Sequence, residues 1–276
     1  IDQSFRSANF RRVADQVVFL LRRYGIPGFF APHEKFLMHL FLAAGRLLPG
    51  ISVPRMIEKM RADSRRAIIP GEREALLAHL AKRKGQGLRM NINHLGEAVL
   101  GEDEARHRLA TYIADLEDPA IEYISVKIST IYSQIQALAF EHCVAVLQER
   151  LGRLYAAADA HVFVRPDGRQ VPKFVNLDME EYRDLAITTA AFTRTLEEER
   201  FRTHPAGIVL QAYLPDSFAI MRELTAWARE RVAGGGAPIK IRLVKGANME
   251  MELVESALMN WPLAPYDNKL DVDANY

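Results

Sequence analysis

No stretch of the 276-residue chain constrains its fold more than Ile239-Lys240-Ile241-Arg242-Leu243-Val244-Lys245-Gly246-Ala247-Asn248. This short aliphatic run follows the breaker Gly234-Gly235-Gly236-Ala237-Pro238, and Met249 to Leu258 beyond it has helix-forming composition. The order is therefore strand, loop, helix. At such a corner the backbone N–H groups that open the helix lack partners, so an anion can sit there with Lys245 beside it. A phosphate-bearing cofactor fits the corner. An ordinary strand-to-helix corner, with Arg242 and Lys245 paired to nearby carboxylates, fits it equally.

The same pattern recurs upstream. Candidate strands are Leu88 to Ile92, Tyr123 to Ile128, Phe174 to Leu177, Ile208 to Ala212 and Ile239 to Val244. They start roughly 30 to 50 residues apart, the spacing of strand-helix-strand units in a parallel sheet. The intervening helices carry apolar stripes, Leu147-Leu151-Leu154 and Ile220-Leu224-Trp227. Residues 161–168 hold strand formers ending in a turn signal, which predicts a small hairpin in the second crossover. From Ser7 to about Pro70 the pattern is helical instead, with Val13, Val17 and Leu20 in one stripe, then Phe36, Leu40 and Leu47-Leu48. Such stripes usually make cores, so residues 1–86 read as a helical arm or subdomain and residues 87–276 as an α/β domain.

Composition narrows the function classes. Thirty-six basic residues nearly cancel thirty-five acidic ones, so no global field favours nucleic acid or an anionic membrane surface. The apolar stretch Phe36 to Ala44 is too short to span a bilayer, and no signal-peptide pattern opens the sequence. A cytoplasmic protein is the expectation. The single cysteine, Cys143, excludes an internal disulfide or a Cys-based zinc cluster and reads as a small filler on a helix face.

The candidate chemistry sits at the strand ends. The first strand leads into Asn93-His94-Leu95-Gly96-Glu97, the second ends in Lys127, the third in Asp178, the fourth in Gln211, and the fifth in Arg242 and Lys245. In a barrel or doubly wound sheet the carboxyl ends of the strands converge on one face, where catalytic groups gather. Each residue taken alone could instead be a capped or ion-paired structural group. Asp178 in particular could cap a helix beginning at Met179-Glu180-Glu181-Tyr182.

These residues stand in ordered motifs: Asn93-His94-Leu95-Gly96-Glu97-Ala98, Ser125-Val126-Lys127-Ile128-Ser129, Asn176-Leu177-Asp178-Met179-Glu180-Glu181, Gln211-Ala212-Tyr213, Arg242-Leu243-Val244-Lys245-Gly246-Ala247, and Lys269 with Asp273-Ala274-Asn275-Tyr276. Over residues 90–276 the chain resembles the proline dehydrogenase part of the bacterial bifunctional proline-utilisation flavoenzymes, and its helical start is similar to the segment before their barrel. The resemblance implies a variant (β/α)8 barrel that holds FAD. It further implies oxidation of L-proline to 1-pyrroline-5-carboxylate, with electrons passed to a quinone at the inner face of a membrane. An aldehyde dehydrogenase domain in the same longer polypeptide and a homo-oligomer are implied too.

By the same resemblance Lys127 and Asp178 are catalytic. Lys127 helps hold the substrate carboxylate and Glu97 pairs with a substrate-binding arginine. Gln211, Arg242, Val244, Lys245 and Gly246 contact the flavin. At the position after Lys245-Gly246-Ala247, where many family members carry tyrosine, this chain has Asn248, which gives the substrate pocket a smaller and more polar wall. Five strands stand where the family barrel has eight, and the arginines that grip the proline carboxylate are expected beyond Tyr276. The chain therefore reads as the first part of a barrel. Two rival readings stay open, another flavin- or phosphate-binding barrel enzyme and a non-catalytic interaction module on a degenerate barrel.

Overall fold

The computed structural model describes residues 7–28, 30–64, 68–69, 71–95 and 99–276. Contacts divide the chain into two compact units, Ile1–Leu76 and Leu77–Tyr276.

The first unit is helical: α1 (Phe10–Tyr24), α2 (Pro32–Ala44) and α3 (Pro49–Ser64). Asn9 opens α1 by accepting from the backbone N–H groups of Arg11 (3.0 Å) and Arg12 (3.4 Å). Gly25 ends it at φ +79°, a conformation that only glycine adopts without cost. Val13, Ala14, Val17, Val18 and Leu21 of α1 pack with Phe41 of α2 and Val53 of α3. The stripe therefore runs through Val18 and Leu21 rather than Leu20. A second expectation fails as well, because Phe36, Leu40, Leu47 and Leu48 are exposed and not part of this core. The reason is that α2 is apolar on more than one side: Phe41, with Met38 and Leu42 beside it, takes the core, and Phe36 and Leu40 are left outside it.

The second unit begins within α4 (Arg73–Gly85) and is an α/β domain. In chain order it contains β1 (Asn91–Asn93), α5 (Glu102–Glu117), β2 (Tyr123–Lys127), the short α6 (Ile128–Ile131), α7 (Phe140–Ala160), β3 (Val162–Val164), β4 (Gln170–Pro172) and β5 (Phe174–Asp178). There follow α8 (Leu185–Glu197), β6 (Ala206–Gln211), α9 (Asp216–Ala233), β7 (Lys240–Val244), α10 (Met249–Met259) and α11 (Lys269–Asn275). β1, β2, β5, β6 and β7 form one sheet in that order, and every pairing in it is parallel. Sequential neighbours joined by helical crossovers are the pattern of an opening (β/α) barrel. β3 and β4 pair separately as the expected antiparallel hairpin.

The first strand starts three residues later than its apolar run suggests, at Asn91 rather than Leu88. Leu88 is itself exposed. The core lies between the sheet and its helices: Leu109, Leu116, Ile124, Leu147, Leu151, Val175, Phe192 and Ile208 are almost wholly buried. Each such side chain contributes roughly 1.5–3 kcal/mol of hydrophobic stabilisation. Cys143 is buried on α7 and takes a hydrogen bond from the Gln136 backbone at 3.3 Å, consistent with a filler. β6 is buried along its whole length, whereas β7 is only half-buried.

Among the described residues, no helix is long and apolar enough to cross a membrane. Nor do any three or more His, Cys, Asp and Glu residues there form a group that could hold a metal ion.

Candidate functional site

Strand register brings the strand ends together. Lys127 lies opposite Asp178, Val209 opposite Arg242, and Gln211 opposite Val244. Side chains separated by as much as 149 positions in sequence thus meet at one end of the sheet, with Asp178 at the centre. Its carboxylate accepts from Asn93 (3.1 Å), Asn176 (2.8 Å) and Arg242 (2.7 Å). Burial pushes the Asp178 carboxyl above its ordinary value, and the Arg242 guanidinium opposes that shift.

Asp178 does not cap a helix. Residues 179–181 are not helical and the next helical turn starts only at Tyr182, so the carboxylate is turned to its neighbours on adjacent strands. The loop after β5 has a different role, because Glu180 bonds Lys127 and accepts from Ser129 at 2.7 Å. The Lys127 side chain keeps 22% of its surface exposed and that of Arg242 41%. Both cations are thus half-open and neutralised by the chain's own carboxylates.

Gln211 is fully buried at the end of β6, and its amide donates to the Met179 and Glu180 carbonyls, both at 3.2 Å. That pins the loop carrying Glu180. The carboxamide Oε1 of Gln211 and Nε of Arg242 are buried without a partner among the described residues, an arrangement that costs about 1–3 kcal/mol per group unless something pairs with it.

At the β7–α10 corner the Val244 and Lys245 carbonyls accept from Ala212 and Tyr213, both at 2.7 Å. Gly246 adopts φ +153°, and a Cβ there would stand 2.2 Å from the Tyr213 ring, so only glycine lets the two segments approach this closely. Lys245 pairs with Asp273 of α11, which Lys269 also bonds, and these hydrogen bonds hold the Asp273 carboxyl below its ordinary value. Asn248 precedes α10, and its side chain makes no capping bond. Glu97 lies outside the described residues.

Arg242 and Lys245 therefore do pair with carboxylates, as one of the two readings of that corner has it, yet the pairs form part of a larger polar cluster. Asn91 is absent from the sequence motifs, and Asn93, Ser125 and Asn176 stand in them without an assigned role; all four belong to that cluster. Asn91 donates to Ser125 at 2.9 Å, and Asn93 and Asn176 hold Asp178. The signal was present as a period of two, Asn91-Ile92-Asn93, Ser125-Val126-Lys127 and Asn176-Leu177-Asp178. Alternation on a strand puts each polar pair on one face. In most barrels this inner face is filled by bulky aliphatic residues; here it is hydrogen-bonding. Gly207 opposite Asn176 makes room for it, since a Cβ at 207 would meet Asn176 Oδ1 at 2.5 Å.

The geometry has counterparts among known proteins. The family model described as proline dehydrogenase matches residues 76–276. Proline utilization A (PutA) from Corynebacterium freiburgense is 38% identical, with a TM-score of 0.70 over 90% of this chain and 24% of that one. PutA from Bdellovibrio bacteriovorus, in a structure inactivated by N-propargylglycine, is 29% identical, with a TM-score of 0.69 over 97% of this chain and 28% of that one. A PutA variant from Bradyrhizobium japonicum, 20% identical, shares the fold at a TM-score of 0.66 over 100% of this chain and 28% of that one. The chain thus spans about a quarter of the length of these solved structures. No curated protein sequence matches it.

Proposed function

The chain belongs to the proline dehydrogenase family, and we propose that it forms the flavin-holding part of an enzyme that oxidises L-proline to 1-pyrroline-5-carboxylate. The observation that carries this reading is the convergence of Lys127, Asp178, Gln211 and Arg242 from four adjacent parallel strands. Polar groups at the carboxyl ends of barrel strands are the usual seat of catalysis.

The residues present fit FAD. An isoalloxazine edge carries both N–H donors and carbonyl acceptors, so it offers partners for an unpaired acceptor such as Gln211 Oε1 and an unpaired donor such as Arg242 Nε. Lys245, half-exposed at the entrance to α10, suits a phosphate. Val244 and Gly246 complete the corner with backbone atoms. When bound, FAD would supply the hydride acceptor for oxidation of proline at the ring carbon next to nitrogen and distant from the carboxylate, with the ring nitrogen losing its proton.

The chain's own residues prepare that step. Arg242 puts a positive charge where negative charge accumulates, and Asp178 with its two asparagine donors fixes the guanidinium. Lys127 receives the substrate carboxylate in exchange for Glu180, its present partner. Asn248 belongs to the substrate pocket, and the role of Glu97, which lies outside the described residues, is to pair with a substrate-binding arginine. In the longer protein a quinone takes the electrons at the inner membrane face, a homo-oligomer forms, and an aldehyde dehydrogenase domain consumes the product, in the manner of a bifunctional proline-utilisation enzyme.

Flavin content tests the cofactor assignment. Arg242→Met with Lys245→Met in the full protein should lower the bound flavin per chain, whereas Arg22→Met with Arg23→Met on α1 should leave it unchanged. Equal flavin content in the two double variants would refute the assignment.

A further inference from the structure

At the other end of the sheet, one strand length from Asp178, lies a cavity of about 280 Å3. It opens beside the amino-terminal ends of β1 and β2 and beneath the β3–β4 hairpin. Its volume is near the lower edge of the roughly 300–1,000 Å3 range of small-molecule pockets. Leu80, Leu88, Ile92, Ile121 and Phe163 supply apolar lining.

The charged lining is unbalanced. Lys84, Arg89, Arg165 and Arg169 face only Glu122 and Asp167, four cations against two carboxylates, leaving an excess of two positive charges. Both available acids are engaged. Buried Glu122 accepts from Arg89 (2.6 Å) and Arg165 (2.8 Å) on the same oxygen, and Asp167 takes the Arg169 backbone N–H at 3.0 Å within the hairpin turn. The Arg169 guanidinium stays 3.7 Å from Asp167, and the Arg169 side chain is 63% exposed. Nε of Arg165 is buried with no partner among the described residues. Lys84 is fixed in place by the Val164 carbonyl at 2.7 Å and stands 4.8 Å from the centre of the Phe163 ring.

The hairpin assembles this arrangement. Gly168 at φ +80° closes the turn, with Gly168 N–H donating to the Arg165 carbonyl at 2.9 Å and Arg165 N–H to that of Arg169 at 3.0 Å. Two guanidinium groups thereby face the same cavity.

From this juxtaposition we infer a second binding site, for a small organic anion with an apolar body, a carboxylate foremost. Guanidinium forks match a carboxylate geometrically, the excess charge selects an anion, and the aliphatic and phenyl lining selects an apolar body over a naked ion. The site lies at the opposite end of the strands from the proposed flavin and does not depend on that proposal.

Calorimetric titration of the full protein with benzoate, benzyl alcohol and inorganic phosphate tests the inference. Benzoate should bind, with benzyl alcohol and phosphate each weaker by about tenfold or more. Combining Lys84→Met with Arg169→Gln, both on the rim, should weaken benzoate about tenfold without changing thermal unfolding. Lys127→Met at the far end of the strands should leave benzoate affinity unchanged. The inference is overturned by absent benzoate binding, by unchanged affinity in the rim variant, by loss of binding in Lys127→Met, or by phosphate or benzyl alcohol binding as tightly as benzoate.

Discussion

Replacing Arg242 by methionine removes the only cation hydrogen-bonded to Asp178 among the described residues and keeps much of the aliphatic stem. The pair is close, 2.7 Å from Nη2 to Oδ1, with the Asp178 side chain 11% exposed and that of Arg242 41% exposed. Charge centres about 4 Å apart interact by about 4 kcal/mol at an effective dielectric constant near 20. Solvent around the half-open guanidinium reduces this to about 2 kcal/mol, and the amides of Asn93 and Asn176 remain to hold the carboxylate.

The pH dependence follows from the sign of the shift. Burial raises the Asp178 carboxyl above 3.8, so its contribution to stability is fully present below that value and is lost as pH rises through the raised one. Removing Arg242 raises it further. The Arg242→Met penalty should therefore be small near pH 4 and reach about 2 kcal/mol near pH 8. Urea unfolding of wild type, Arg242→Met, Asp178→Asn and the double variant at both pH values measures this directly. The cycle should give a coupling of about 1–2 kcal/mol near pH 8. An equal penalty at both pH values, or additivity in the cycle, would refute the reasoning.

Two further outcomes are expected. Lys127→Met should retain flavin but lose about 2–5 kcal/mol of transition-state stabilisation, seen as a fall in kcat/KM for L-proline; unaltered kinetics at full flavin occupancy would remove Lys127 from the site. Asp184, buried at the start of α8 and near Glu181, has its carboxyl pushed up to about 6. Its favourable contribution is complete below its ordinary value and lost as pH rises through about 6. Asp184→Asn should therefore stabilise the protein at pH 7 by up to about 3 kcal/mol and leave it nearly unchanged near pH 4, as thermal unfolding at the two pH values would report.

The parallel sheet was legible because its strands are short aliphatic runs between helices with regular stripes. The hairpin was legible from Pro166-Asp167-Gly168. Strand ends such as Lys127 and Arg242 were legible because a charge terminating an apolar run is conspicuous. The partners of those charges were not. Glu180 meets Lys127 from a loop after β5 that Gln211 holds through two carbonyls, long-range bonds without a local sequence pattern. Asn91 was hidden by its neutrality and Asn93 and Asn176, though within legible motifs, declared no role, because only their alternation marked an inward polar face. On α2 the difficulty was the reverse, since a helix apolar on more than one side does not declare which side the core will take.

Anaerobic titration of the purified full protein with L-proline tests the proposed flavin chemistry most directly. The visible absorbance of a bound flavin should be present before addition and bleach in proportion to the L-proline added, with 1-pyrroline-5-carboxylate formed in equal amount. A protein without flavin absorbance after loading with FAD, or one whose bound flavin stays oxidised in excess L-proline, would contradict it.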